Sequence, residues 1–96
     1  MDTNDFAAQT EQIKKQLYRT AFLYLGSECM ALDAVDEAIY RGFMSLKKLR
    51  QPEYFETWLT RILINECKKE LRRRKRRQPL ESAPDIIENT YDSLSL

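Results

Sequence analysis

Apolar positions recur along this chain with helical spacing, not strand alternation. Phe6, Ile13, Leu17, Ala21 and Tyr24 fall seven, four, four and three residues apart, one stripe of an amphipathic helix over residues 5–25. Gly26 supplies the stop signal, and Ser27 is a natural N-cap for a second helix. In that helix Ala31, Val35, Ala38, Ile39, Gly42, Phe43 and Leu46 form a continuous apolar stripe. At 100° per residue its opposite face collects Asp33, Asp36, Glu37, Tyr40 and Met44, so acids and two large side chains meet solvent together.

The pattern breaks over Lys47–Glu53, which reads as a loop. Pro52 suits the first turn of a third helix, with Glu53 favourable at its positive end. From Tyr54 onward Phe55, Leu59, Ile62 and Leu63 define a buried stripe, with Trp58 at its border, where packing is the expected role. Good helix formers carry the helix to about Arg77, before Pro79. The expected fold is an all-α, three-helix bundle over residues 1–77 with a long basic third helix. Residues 78–96, with 4 acidic and no basic side chains among Ser, Pro and Asn, read as an acidic linker or tail.

Net charge of +1 conceals a segregation along the chain. Residues 1–46 carry −3, residues 47–77 carry +8, and residues 78–96 carry −4. A concentrated basic block in a near-neutral chain is the electrostatic footprint of a polyanion binder. On the third helix Arg61, Asn65, Lys68, Lys69, Arg72 and Arg76 project into one sector beside the apolar stripe. Lys68–Arg77 packs eight cations into ten residues, with like-charge pairs at four-residue spacing that Glu70 offsets in part through Arg73 and Arg74. An external anion relieves the remainder, and nucleic-acid phosphate is the natural candidate. A merely solvated basic helix end is the plain alternative. Asn65 offers a donor and an acceptor to a base edge, while Leu49 and Tyr54, which look exposed, could stack on or enclose a base.

Composition narrows the remaining classes. Ninety-six residues make one small domain with a thin core and little room for an enclosed cofactor. The absence of histidine removes the commonest general base and metal ligand, so no enzyme and no metal or other cofactor is expected, even at the acidic cluster Asp33, Asp36 and Glu37. Cys29 and Cys67 form no CxxC pair, and no apolar run approaches a membrane span, so a reduced, cytoplasmic setting without membrane contact is expected.

Four blocks in order carry a family resemblance over about residues 13–77. They are Leu17-Tyr18-Arg19-Thr20-Ala21 with Leu25-Gly26, then Asp33-Ala34-Val35-Asp36-Glu37-Ala38, then Phe55-Glu56-Thr57-Trp58-Leu59-Thr60-Arg61-Ile62-Leu63-Ile64-Asn65, and the closing arginine-rich run. Together they resemble region 2 of bacterial RNA polymerase sigma factors of the extracytoplasmic-function group. The resemblance implies a domain of a transcription initiation factor that docks on the clamp coiled coil of the polymerase's largest subunit through Asp33, Val35, Asp36, Glu37 and Tyr40. It implies that the loop with Lys48, Leu49 and Arg50 holds a flipped base of the promoter minus-ten non-template strand. Arg61, Asn65, Lys68, Lys69, Arg72 and Arg76 would contact neighbouring bases and phosphates. An anti-sigma factor that masks these surfaces is a further implied partner, whereas a small-molecule substrate is not. Asp36 stands where the family usually has Gln, Leu32 where an acid is common, and Leu49 at the position of the base-pocket aromatic. The family's second domain, a helix-turn-helix called region 4, has no counterpart in these 96 residues, so an excised domain is expected. Two rival readings remain at this point: a basic helical module that binds nucleic acid without regard to sequence, and a polymerase-docking adaptor that reads no promoter.

Overall fold

The computed structural model describes residues 1–77, and the acidic segment 78–96 lies outside the described residues. Helix α1 spans Thr3–Leu25, α2 spans Glu28–Met44 and α3 spans Phe55–Arg77. No strand occurs among the described residues, and each helix packs against the other two. The expected all-α bundle is what the chain forms. No helix among the described residues is long and apolar enough to cross a membrane.

Local chemistry fixes the ends. α1 begins two residues earlier than its stripe suggests because Asp2 and Asp5 form a capping box: the Asp5 amide donates to Asp2 Oδ1 at 2.8 Å, and the Asp5 side chain accepts from the Asp2 amide. Gly26 terminates α1 with φ 67°, a left-handed conformation that only glycine enters without strain, and its N–H donates to the Phe22 carbonyl. Ser27 then caps α2, its hydroxyl accepting from the Met30 amide at 3.2 Å.

The core is one cluster drawn from all three helices. Phe6, Leu17, Ala21, Tyr24 and Leu25 of α1 meet Ala31, Ala34, Val35 and Ala38 of α2, and Phe55, Leu59, Leu63 and Cys67 of α3. The small residues of α2 let the helices approach closely. At Gly42 a Cβ would stand 2.7 Å from Leu59 Cδ1, so hydrogen is the substituent that fits without displacing the Leu59 side chain. Phe6 packs edge-on against both Phe43 and Phe55, at 5.8 and 5.6 Å between ring centres.

Several side chains depart from the expected stripes. Phe43, at the end of α2, is 44% exposed and packs edge-on against Phe6, and Ile13, Ile39, Leu46 and Ile62 are half-buried. The buried stripe of α3 instead continues straight through Cys67. The connection is more ordered than a plain loop, with 3₁₀ turns at Leu46–Lys48 and Pro52–Tyr54. Leu49, between them, is half-buried against the core and not exposed, whereas Tyr54 does face solvent. Trp58 is half-buried beside Phe55, as its border position suggests.

Candidate nucleic-acid interface

Several cations of α3 are matched within the domain. Lys69 Nζ lies 3.3 Å from Glu66 Oε2, and Arg73 lies 3.0 Å from Glu70. The Arg74 guanidinium donates through both terminal nitrogens to the Leu25 carbonyl, at 3.0 and 3.2 Å. That carbonyl belongs to the open end of α1, where a cation also meets the negative pole of the helix. The sector expected from the sequence thus loses Lys69 to the α2 side.

Arg61, Lys68, Arg72 and Arg76 form no hydrogen bond or ion pair among the described residues, and neither does Asn65. Positions 61, 65, 68, 72 and 76 repeat at four- and three-residue steps, one stripe about 22 Å long at 1.5 Å rise per residue. Lys48 and Arg50 are exposed in the neighbouring connection.

The seam between α2 and α3 is a charged hub. Arg41 Nε sits 3.0 Å from Glu37 and 2.9 Å from Glu66, and Glu66 is only 12% exposed at its side chain. Its two cations, Arg41 and Lys69, satisfy the carboxylate as it leaves water. One groove of about 370 Å³ opens along this seam between Asp33, Glu37, Lys69 and Arg73. A second, of about 320 Å³, lies further along it, lined by Tyr40, Met44, Ile62 and Asn65. Burial pushes the neighbouring Cys67 thiol up to about 11, with the Glu66 carboxylate adding to the effect. That cysteine is packing, not chemistry. No cluster of metal-binding side chains occurs among the described residues.

The sigma-70 region 2 family matches residues 10–77, which takes in most of α1 and all of α2 and α3. The chain belongs to that family. RNA polymerase sigma factor SigV of Bacillus subtilis (strain 168) is 35% identical over 63 residues, covering 66% of this chain and 38% of that protein. ECF RNA polymerase sigma factor SigG of Mycobacterium tuberculosis, from strains CDC 1551 / Oshkosh and ATCC 25618 / H37Rv alike, is 33% identical over 73 residues, covering 76% of this chain and 20% of that protein. The chain therefore spans well under half the length of either relative. No solved structure gives a significant match.

Within this region 2 domain, Asp33, Asp36, Glu37 and Tyr40 are exposed on α2. Val35 is not. At 2% exposure it faces α1 and α3 as part of the core, so its side chain cannot itself touch a partner. The position is apolar because the same stripe that supports the motif builds the bundle. Sequence reasoning passed over Arg41, Glu66 and the anchoring role of Arg74. Glu37 and Arg41 stand four residues apart, a spacing that could have been read from the chain. The pairings of Arg41 with Glu66 and of Arg74 with Leu25 cross between helices and leave no local trace.

Proposed function

We propose that this domain joins core RNA polymerase to promoter DNA during transcription initiation. The acidic face of α2, through Asp33, Asp36, Glu37 and Tyr40, docks on the clamp coiled coil of the polymerase's largest subunit. The stripe Arg61, Asn65, Lys68, Arg72 and Arg76, with Lys48 and Arg50 beside it, takes the separated non-template strand of the minus-ten element. Phosphate contacts position the strand and base contacts select it. An anti-sigma factor would act by covering the same two surfaces. The domain performs no chemistry: binding free energy holds bases out of the stack, at a cost of a few kcal/mol per base, and so couples recognition to melting.

The observation that carries this reading is the sorting of cations on α3. Lys69, Arg73 and Arg74 have partners within the domain, whereas Arg61, Lys68, Arg72 and Arg76, which have none among the described residues, share one stripe with Asn65. A basic face left over from solubility alone has no reason to be sorted in this way. Fluorescence anisotropy with a library of non-template single strands, at fixed physiological salt, tests it. Sequence preference should sharpen at least tenfold when core polymerase is present, and Asp33→Ala with Asp36→Ala should abolish that gain. Flat, salt-driven binding indifferent to polymerase would leave only a basic helical module.

A further inference from the structure

We propose that the acidic segment following Arg77 lies back along α3 and covers the cation stripe of Arg61, Lys68, Arg72 and Arg76 until a polyanion displaces it. This rests on the reading of α3 as the nucleic-acid face and deepens it, because it gives that face an occupant from the same chain.

Charge makes the match. Lys68 with Arg72, and Arg72 with Arg76, are like-charge pairs at four-residue spacing, a repulsion that an anion laid along the stripe relieves. The second half of α3 has two acids of its own, Glu66 and Glu70, and these hold Lys69 and Arg73. The next acids along the chain are Glu81, Asp85, Glu88 and Asp92, with no cation among them in residues 78–96. Four carboxylates thus stand against four cations that have no ion pair among the described residues.

Connection makes the match local. The segment begins at the C-terminal end of the stripe, where Arg77 closes α3 and Pro79 brings no N–H to prolong it. The fifteen residues from Gln78 to Asp92, at up to about 3.3 Å each, reach about 50 Å, against about 22 Å for the stripe. The acids recur at steps of four, three and four residues and the cations at seven, four and four, so neither set is bunched at one end. Tethering supplies the carboxylates at an effective concentration of about millimolar, which suits pairs that are individually weak. A nucleic-acid strand carries a charge on every nucleotide, a denser row than four acids in twelve residues, and takes their place. The segment therefore sets a threshold that weak polyanions do not pass.

The test uses the full chain. A water-soluble carbodiimide joins carboxylates to amines in direct contact, and Lys68 stands nine residues, about 14 Å, before the end of α3, so reaching it requires the segment to turn back. Cross-links within one molecule should join Glu81, Asp85, Glu88 or Asp92 to Lys68 in preference to the exposed Lys14 and Lys15 of α1, and an added single strand should remove them. Cross-links spread evenly over the three lysines, or found only between two copies of the chain, overturn the proposal. In anisotropy titrations at about 50 mM salt, Glu81→Gln, Asp85→Asn and Glu88→Gln together should tighten binding of a single-stranded oligonucleotide about fivefold. Glu11→Gln, Glu28→Gln and Glu56→Gln, at exposed positions, make the same change of net charge from +1 to +4 and should tighten it by less than about twofold. Equal gains from the two triple variants would assign the effect to the overall field and overturn the masking, while the parent chain's salt-dependent binding keeps the wider reading of α3. If neither the parent nor the acid-segment variant binds the strand, that reading falls and this inference with it.

Discussion

Thr10 occupies an apolar place on α1, one turn after Phe6, and its buried hydroxyl has no hydrogen-bond partner. An unsatisfied hydroxyl costs about 1–3 kcal/mol of desolvation, and valine keeps the branched shape without it. Thr10→Val should therefore raise stability by about 1 kcal/mol, read as a higher urea midpoint at unchanged slope. Destabilisation instead would mean that the hydroxyl finds a partner, such as a water. The two cysteines make a second contrast at this scale, one exposed and one buried. Cys29 should react with a thiol reagent in the native chain, whereas Cys67 should react only on unfolding. Burial raises the Cys67 thiol from 9.0 to about 11, so the folded state favours the neutral thiol. Its stabilising contribution is whole below the unfolded value near 9 and is lost as pH climbs toward 11, because the unfolded chain ionises first. Between pH 8 and 10.5, urea titrations of Cys67→Ala should lose about 2 kcal/mol less than those of the parent chain.

Helices α1 and α3 are joined by more than apolar packing, since Arg74 donates twice to the Leu25 carbonyl across 49 residues of sequence. Arg74→Ala should cost about 1–2 kcal/mol, with the end of α1 losing its protection from amide exchange first. Arg72→Ala, at an exposed position two residues away, should stay within about 0.5 kcal/mol. Equal losses at the two positions would remove the anchoring role. The same pair shows what could be read in advance. The Gly26 stop and the Ser27 cap are local signals written within a few residues, and both survive into the structure, as do the stripes except at their margins. Partners chosen across helices are not local, so nothing in the arginine run marks Arg74 as the residue that reaches the Leu25 carbonyl. Val35 and Leu49 stood among the expected contacts because a motif or a loop position names a residue, while packing decides where its side chain goes. Asn65 and the outward cations were legible because a helical period places them on one face whatever the neighbouring helices do.

At the scale of the whole molecule, net charge of +1 predicts almost nothing about polyanion binding, and the arrangement predicts a good deal. Two double variants separate the two explanations. Lys69→Gln with Arg73→Gln removes cations whose partners are Glu66 and Glu70, whereas Arg72→Gln with Arg76→Gln removes cations of the outward stripe. Each pair takes the chain from +1 to −1, so any effect of the overall field is the same in both. Counterion release is a local count: each phosphate contact on a single strand contributes about 0.7 to the slope of log affinity against log salt. The stripe variant should therefore bind with a slope shallower by about 1.4, while the internally paired variant should keep the parent slope to within a few tenths. Anisotropy titrations of a single-stranded oligonucleotide at four or five salt concentrations measure both. If the two slopes fall together, the polyanion responds to total charge, and the sorted face of α3 loses its claim to be the nucleic-acid interface.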